Sequence, residues 1–322
     1  MNNLKTLILS PGNSGGGAVF EYLSSRDDFV SPFNNEEFRM VGDPDGLYNL
    51  YLECYKNSSL YGSSVAIKRF LKYNKRLANL KVQSHNKKIK LCSKGYEGII
   101  NSFIKNISEI EYLANPQFYR MKLNKIDKTK IFFNDKINGS FKNSRPLKVI
   151  IPKDENLFIN HSKELIDKIL LNNIHKKKIK KNIVIDQAVN ILNPLESSIP
   201  YGNRKIIIVI RDPKSVFASM KRRKSFGFPG YDLKIFIEWY KWIMKKINFK
   251  KSNLVMKINF ESFVLDDKKS IKKIESFLKI KKDIDNKFNF MQSRKNIYKA
   301  KKILSLNEMK YINKELKDYI IW

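Results

Sequence analysis

Two short stretches of this sequence combine residue types that bind phosphate groups. The first, SPGNSGGG at residues 10–17, lies between an apolar run and a helix-like pattern. A glycine-rich turn at the start of a helix presents unpaired backbone N–H groups and the positive end of the helix dipole, and both attract anions. We therefore predict an anion-binding turn, although a tight turn without a ligand explains the same glycines. The predicted contacts are Gly12, Asn13, Ser14, Gly15, Gly16 and Gly17.

This turn lacks part of the pattern that binds a nucleoside triphosphate with its metal. Gly12 and Gly17 have the spacing of a P-loop, but Ala18 and Val19 stand where that motif has lysine and a hydroxyl residue. Those two side chains normally hold the terminal phosphates and the magnesium ion. A kinase or an ATPase is therefore disfavoured.

The second stretch, IRDPKSVFASMKRR at residues 210–223, begins at the end of a β-branched run. Arg211 follows that run directly, and Ser219 comes eight residues later. A guanidinium binds phosphate through paired hydrogen bonds, to which a hydroxyl can add another. We predict that Arg211 and Ser219 bind a second phosphate, with Arg222 or Arg223 one helical turn further on. In the alternative, Arg211 pairs with Asp212 or a neighbouring carboxylate, and Ser219 packs within its helix.

The elements that must position these stretches alternate between strands and helices. Residues 4–10 predict a buried strand, and residues 18–24 predict the helix after the glycine turn. Apolar, β-branched runs at KKNIVIDQAV from residue 180, at residues 205–210 and at NLVMKINF from residue 253 predict three further strands. This order indicates an α/β fold with a central parallel sheet flanked by helices.

We expect one domain over residues 1–322. Its core would comprise residues 1–44 and 180–322, and residues 45–179 would form a helical and irregular insertion on the ligand edge of the sheet. The tail predicts two amphipathic helices.

The two stretches together resemble the nucleotide-binding elements of sulfotransferases that use 3'-phosphoadenosine 5'-phosphosulfate (PAPS). IVIRDPKSVFASMKRR is similar to the element that holds the 3'-phosphate, and SPGNSGGGAVFEYL is more loosely similar to the one that holds the 5'-phosphosulfate. The resemblance continues in FIEWYKWI, MKINFESFVLDDKKSIKKIESFLKI and SRKNIYKAKKILSLNEM, so it covers the two ends and the latter third of the chain. It implies a P-loop-like sulfotransferase architecture, PAPS as donor and no metal.

The resemblance also implies roles for residues near the end of the chain. SRKNIYKAK is similar to a loop that closes over the 3'-phosphate, so we expect contacts from Ser293, Arg294 and Lys295. An exposed, lysine-rich loop explains the same residues.

Transfer to an alcohol also needs a group that accepts the proton of the hydroxyl. The stretch SPFNNEEFRM resembles the tyrosylprotein type of sulfotransferase, which implies Glu37 as the base and Arg39 as an anion contact. Glu36, and Asp186 at the end of a predicted strand, are expected to contact the substrate. His161 is another candidate base, and a histidine that caps or packs its helix is the alternative.

One position departs from the family pattern. Family members usually have Lys or Arg just before the Ser-Gly of the first loop, where it stabilises the leaving group, whereas this chain has Asn13. Either another cation such as Arg39, Lys68 or Lys94 takes over, or the loop amides and the helix end suffice. Reduced activity, or binding of a nucleotide or polyanion without transfer, is the remaining alternative.

Composition limits the kinds of partner. The net charge of +32 indicates an anionic partner, although the abundance of Lys, Asn and Ile is also typical of AT-rich coding. Cys54, Cys92 and three scattered histidines indicate neither a disulfide framework nor a metal site. We find no recognisable nucleic-acid-reading element, no secretion signal and no apolar run long enough to span a membrane. The expected location is the cytoplasm, and the expected acceptor is a hydroxyl of a glycan or glycolipid; the oligomeric state stays open.

Overall fold

The computed structural model describes residues 3–84, 87–114, 118, 121, 124–138, 147–223, 227–247, 252–281 and 287–321. The strands are β1 (Lys5–Leu9), β2 (Phe29–Val30), β3 (Lys81–Ser84), β4 (Lys87–Lys90), β5 (Ser108–Ala114), β6 (Leu147–Pro152), β7 (Asn182–Asp186), β8 (Arg204–Ile210) and β9 (Val255–Asn259). The α-helices span Gly16–Ser24, Leu47–Tyr51, Gly62–Ala78, Tyr96–Ile107, Lys125–Asn138, Glu155–Asn173, Pro194–Ser197, Pro213–Arg223, Leu233–Lys246, Phe260–Leu265, Asp267–Leu278, Phe290–Arg294, Lys299–Ile303 and Leu306–Glu315. Residues Leu52–Lys56 extend the second helix as a π turn.

A five-stranded parallel sheet lies at the centre, with the strand order β2-β7-β1-β8-β9. Its inner strand β1 is buried along its whole length, with Leu7 opposite Ile185 on one side and Ile206 on the other. Strands covered on both faces need continuous apolar runs, which is the pattern that predicted them. The prediction of a central parallel sheet flanked by helices is confirmed.

Helices pack on both faces of this sheet. On one face, Val19, Phe20 and Leu23 contact Ile8 and Ile207 and are joined by side chains of the later helices. The other face belongs to a larger core that also includes residues of the middle region, such as Phe70 and Phe158. Burial of each such side chain contributes about 1.5–3 kcal/mol, so the sheet and the middle region stabilise each other.

The middle region contains features that the sequence did not predict. The antiparallel hairpin of β3 with β4, and the antiparallel pair of β5 with the more distant β6, lie among its helices. Both are separate from the central sheet, so they do not alter the order of its strands.

Parallel strands end on a common edge, and this edge positions the residues that follow them. Ser10 follows β1, Asp186 ends β7, Arg211 follows β8 and Phe260 follows β9. In the described ranges, no helix is long and apolar enough to cross a membrane.

Candidate functional site

A cleft of about 650 Å³ opens at the carboxyl edge of the sheet. It brings the glycine turn together with the ends of β7 and β8 and with side chains of the later helices. The lining residues are Ser10 to Ala18, Glu21, Glu37, Arg39, Asp186, Gln187, Ile191, Arg211, Ser219, Arg222, Arg223, Phe228, Trp239, Ile243, Phe260, Ser293, Asn296 and Lys299.

The glycine turn has a backbone that suits glycine at Gly15. This residue has φ of +88° and directly precedes the helix Gly16–Ser24. A Cβ atom at Gly15 would lie 2.4 Å from the ring of Phe260, so the turn also needs the missing side chain for space. Ser14 is buried and donates a hydrogen bond to Pro11 O at 2.6 Å. Its hydroxyl therefore closes the turn, and an anion in the cleft would meet backbone N–H groups at the helix start.

Arg211 connects the two stretches that the sequence analysis identified. Its Nη1 atom donates to Asn13 O and to Ser219 Oγ, both at 3.2 Å, and its Nη2 atom donates to Asn296 O at 2.6 Å. The side chain is buried, and its guanidinium carbon lies 4.8 Å from the centre of the Phe260 ring. Arg211 and Ser219 thus face the glycine turn across the same cleft.

Arg211 lies among both carboxylates and further cations. Burial lowers the pKa of Arg211, while the carboxylates of Glu261 and Asp212 oppose that shift. Burial also lowers the pKa of Lys299, and the nearby guanidinium groups of Arg222, Arg211 and Arg223 lower it further. These cations repel one another, and a bound anion would offset the repulsion. This side of the cleft can therefore hold a multiply charged anionic ligand.

Carboxylates occupy the opposite side of the cleft. Asp186 is buried, and its Oδ1 atom has no hydrogen-bond partner within the described part of the chain. Burial and the nearby charge of Glu37 raise the pKa of Asp186 to about 7. The loop that carries Glu37 is held to β7 by a hydrogen bond from Phe38 N to Asp186 O at 3.3 Å.

Glu37 and Arg39 form an ion pair beside Asp186. The carboxylate of Glu37 lies 3.2 Å from Arg39 Nη1, and both side chains are half exposed. Arg39 also donates to Asp43 at 2.7 Å, which orients its guanidinium. The cleft therefore presents a carboxylate that a substrate can reach and a buried one behind it.

The side chain of Asn13 lies against an arginine. Its Oδ1 atom accepts a hydrogen bond from Arg223 Nη1 at 3.1 Å, and Asn13 itself has φ of +54°. The neutral residue that departs from the family pattern thus has a guanidinium as its neighbour. The two lysines that sequence analysis considered as substitutes, Lys68 and Lys94, are exposed and do not line the cleft.

Several predicted residues lie elsewhere. Arg294 donates to Val264 O at 2.6 Å and to Asp267 at 3.1 Å, so it connects two helices, whereas its neighbour Ser293 lines the cleft. Lys295 is exposed and Glu36 is half-buried, and neither lines the cleft. His161 lies on the helix Glu155–Asn173, 3.3 Å from Glu164, and is also outside the lining.

Sequence reasoning missed some of the lining. Gln187 directly follows Asp186 and donates to Ser10 Oγ at 3.0 Å, and its position at a strand end was an available signal. Phe228 and Trp239 form a ring pair with centroids 5.8 Å apart, and a Cβ atom on Gly12 would come within 2.4 Å of Phe228. Aromatic residues at helical spacing predict packing in the core, so the sequence around Trp239 did not indicate that it lines the cleft.

No protein-family model matches the chain, and no curated protein sequence matches it. Solved structures with some similarity to it include three sulfotransferases. The sulfotransferase domain from the curacin biosynthetic pathway is 12% identical, with 98% of each chain covered and a TM-score of 0.43. STF1 of Mycobacterium tuberculosis is 9% identical over 99% of this chain and 77% of its own, with a TM-score of 0.42. Mouse SULT7A1, solved with PAP, is 17% identical over 44% of this chain and 68% of its own, with a TM-score of 0.32. Similarity this low assigns neither a family nor an activity to this chain.

Proposed function

We propose that this chain is a sulfotransferase that moves the sulfuryl group of PAPS to a hydroxyl of a glycan or glycolipid. The observation that carries the proposal is the position of Arg211, whose Nη1 lies 3.2 Å from both Asn13 O and Ser219 Oγ. The glycine turn and the Arg-to-Ser element therefore face one cleft. An adenosine with anionic groups on both its 5' and 3' positions offers one anion to each element.

The cations of the cleft suit the chemistry of this transfer. Sulfuryl transfer, like phosphoryl transfer, places growing negative charge on a leaving phosphate, and fixed positive groups stabilise that charge. We assign this role to Arg223, which donates to Asn13 Oδ1 at 3.1 Å, at the position where the family pattern has a cation. Lys299 and Arg222 add to the positive potential of the same wall.

The carboxylate wall supplies the proton acceptor in this proposal. Glu37 is half exposed and paired with Arg39, so an acceptor hydroxyl can reach it while the guanidinium orients it. Asp186 lies behind it and helps to position the acceptor. Asp186 ends β7 and Arg211 follows β8, on opposite sides of β1, so the donor and the acceptor can approach the glycine turn from different sides.

A second candidate is a protein that binds a nucleotide or a polyanion without transferring a group. The neutral Asn13 favours it, because its side chain cannot itself neutralise a leaving phosphate. This candidate predicts the same cleft and the same binding of 3'-phosphoadenosine 5'-phosphate, but no turnover.

Thermal unfolding with different nucleotides tests the donor. A ligand that binds only the folded chain raises its unfolding temperature, so 3'-phosphoadenosine 5'-phosphate is expected to raise it more than AMP or ATP does. Equal shifts with the three nucleotides would contradict a site built for a 3'-phosphate. Incubation with ³⁵S-labelled PAPS and a mixture of glycans and glycolipids then separates the two candidates, since only the first produces a labelled acceptor.

The assignment of the base is tested by Glu37→Gln. This change is expected to slow turnover by about 10²-fold or more while the affinity for 3'-phosphoadenosine 5'-phosphate stays the same. The matched variant Glu36→Gln alters a carboxylate outside the cleft and should leave turnover unchanged. If Glu37→Gln turns over at the rate of the unaltered chain, the role of base passes to Asp186.

A further inference from the structure

We propose that a second groove, on the β9 edge of the sheet, binds an acidic polysaccharide. This lysine groove lies between β9 and the helix Asp267–Leu278 and has a volume of about 780 Å³. Its lining contains five lysines and one aspartate, over an apolar floor. The lining residues are Met256, Lys257, Asp266, Lys268, Lys269, Lys272, Lys273, Ser276 and Phe277.

The lysines of the helix are arranged in two like-charge pairs. Lys268 precedes Lys272 by four residues, and Lys269 precedes Lys273 by four. Residues at this spacing are neighbours on one face of a helix, and like charges there disfavour the helix. A bound chain of negative charges would attract these lysines and offset their mutual repulsion.

The acidic residues of the same helix do not neutralise these lysines. Glu275 is buried and forms an ion pair with Arg26 at 2.8 Å, and Asp267 pairs with Arg294 at 3.1 Å. Within the described ranges, no ion pair reaches any of the four helix lysines. The positive potential of the groove is therefore available to a ligand.

The strand side of the groove adds a fifth cation. Lys257 lies on β9, and burial lowers the pKa of its ammonium group. Partial loss of hydration makes an anionic neighbour more favourable for such a group. The groove thus offers positive charge from both of its walls along the edge of the sheet.

The shape and the floor of the groove favour a polysaccharide over two other polyanions. Single-stranded nucleic acid is bound without sequence preference by basic charge together with aromatic rings on which bases stack, but the ammonium of Lys205 lies over the Phe277 ring, 4.8 Å from its centre. An anionic membrane also attracts lysines, but firm binding adds exposed apolar side chains that insert into it, whereas Met256 and Phe277 are half-buried. A linear acidic sugar chain needs neither feature.

The lysine groove lies close to the cleft. Lys257 precedes Phe260, a cleft residue, by three positions, which corresponds to about 10 Å of extended chain. Arg294, which holds Asp267 at the start of the groove helix, is next to the cleft residue Ser293. An acidic polysaccharide in the groove can therefore extend toward the cleft, and its role as acceptor, unlike its binding, rests on the proposed function.

A binding measurement without PAPS tests the groove independently of transfer. The probe is a fluorescein-labelled polygalacturonate octamer, titrated by anisotropy at low ionic strength. The variant K268Q/K269Q/K272Q/K273Q is expected to weaken binding by about tenfold or more, since it removes four charge contacts. The matched variant K176Q/K177Q/K178Q/K180Q removes the same charge from another lysine cluster and should change affinity by less than about twofold.

Two kinds of result would overturn the proposal. Equal weakening in both variants would mean that net charge alone attracts the octamer, and tighter groove-dependent binding of single-stranded DNA or phosphatidylserine vesicles would assign the groove to another ligand. For every protein, the rise in unfolding temperature caused by 3'-phosphoadenosine 5'-phosphate is also measured. If the nucleotide raises the unfolding temperature but octamer binding does not depend on the groove lysines, only the groove proposal fails. If the nucleotide causes no rise but octamer binding depends on the groove lysines, only the proposed function fails.

Discussion

At the scale of single residues, Arg211 shows how a buried cation can prepare a binding site. Its described partners are two backbone oxygens, a serine hydroxyl and an aromatic ring, and its Nε lies 3.9 Å from Glu261. The neutral partners orient the guanidinium, and the Glu261 carboxylate compensates only part of its charge at this distance. A phosphate that enters the cleft would add paired hydrogen bonds and further compensation.

The contribution of this element to binding can be measured by single substitutions. Arg211→Ala or Ser219→Ala is expected to weaken binding of 3'-phosphoadenosine 5'-phosphate by about 1.5–3 kcal/mol, because each removes a charge-assisted contact. Isothermal titration calorimetry provides the measurement. Ser215→Ala is the control, since Ser215 lies one turn earlier and donates to Ile297 O at 3.3 Å. Unchanged affinity in Ser219→Ala would remove this residue from the site.

Asp186 predicts a distinct dependence of stability on pH. The pKa of its carboxyl is about 7 in the fold, compared with a reference value of 3.8, so the folded state binds the proton more tightly. Its contribution to stability is therefore complete below the unfolded pKa and is lost as the pH rises through about 7. The free energy of unfolding of Asp186→Asn is expected to equal that of the unaltered chain near about pH 4. Near about pH 8 it is expected to be higher by up to about 4 kcal/mol.

Urea unfolding of both proteins across this pH range checks the sign. Asp27→Asn makes the same change at an exposed position and is the control. A flat difference for Asp186→Asn would contradict the buried, proton-binding carboxyl.

At the scale of elements, the cleft depends on how β1 passes into the first helix. The strand ends in the core, and the chain must turn at once to place the start of the helix Gly16–Ser24 at the edge of the sheet. The positive φ values of Gly12, Asn13 and Gly15 make this turn. The arrangement leaves the N-terminal amides of the helix facing the cleft, where the dipole and the arginines act on the same ligand.

The turn predicts opposite outcomes for two neighbouring glycines. Gly15→Ala places a side chain in the left-handed region and against Phe260, so it is expected to lower the free energy of unfolding by at least about 1–2 kcal/mol. Gly17→Ala meets no described atom within 4 Å and lies inside the helix, where alanine is favoured by about 0.5–1 kcal/mol. Urea unfolding of the two variants compares them directly. Equal destabilisation would mean that the conformation at Gly15 does not control the turn.

At the scale of the whole molecule, charge is the dominant property. The chain carries 63 basic and 31 acidic residues, and positive charge concentrates both in the cleft and in the lysine groove. Such an excess of positive charge attracts anionic ligands, and salt screens this attraction. The positive side chains also repel one another within the folded chain. Added salt should consequently weaken the binding of anionic ligands and stabilise the unliganded chain.

This opposition can be followed in one titration. Raising sodium chloride is expected to increase the unfolding temperature of the unliganded chain, because salt screens its self-repulsion. The additional shift produced by 3'-phosphoadenosine 5'-phosphate should become smaller over the same range, because salt also screens the cleft. Differential scanning fluorimetry measures both quantities. An unfolding temperature that falls with added salt would contradict the first expectation.

The sequence by itself determined the elements of the sheet and the residues most suited to phosphate. Apolar runs mark β1, β7 and β8 because a strand buried on both faces tolerates little else, a mixed run marks the edge strand β9, and the turn before the first helix is marked by its glycines. The Arg-to-Ser step lies within one strand–helix unit, so its spacing is also local. The antiparallel strands of the middle region were missed: β3, β4 and β5 are largely polar or exposed, whereas the apolar run of β6 was not recognised as a strand.

Only the tertiary structure decided which of the candidate residues meet. Arg211 reaches Asn13 and Asn296, which are far from it in sequence, whereas Arg294 is drawn away by Asp267 and His161 remains on a separate helix. Neighbouring residues set local conformation, but the direction of a long polar side chain depends on charges and oxygens brought close by packing. The physical reason is that hydrogen bonds and ion pairs act over a few ångströms of space, irrespective of distance along the chain.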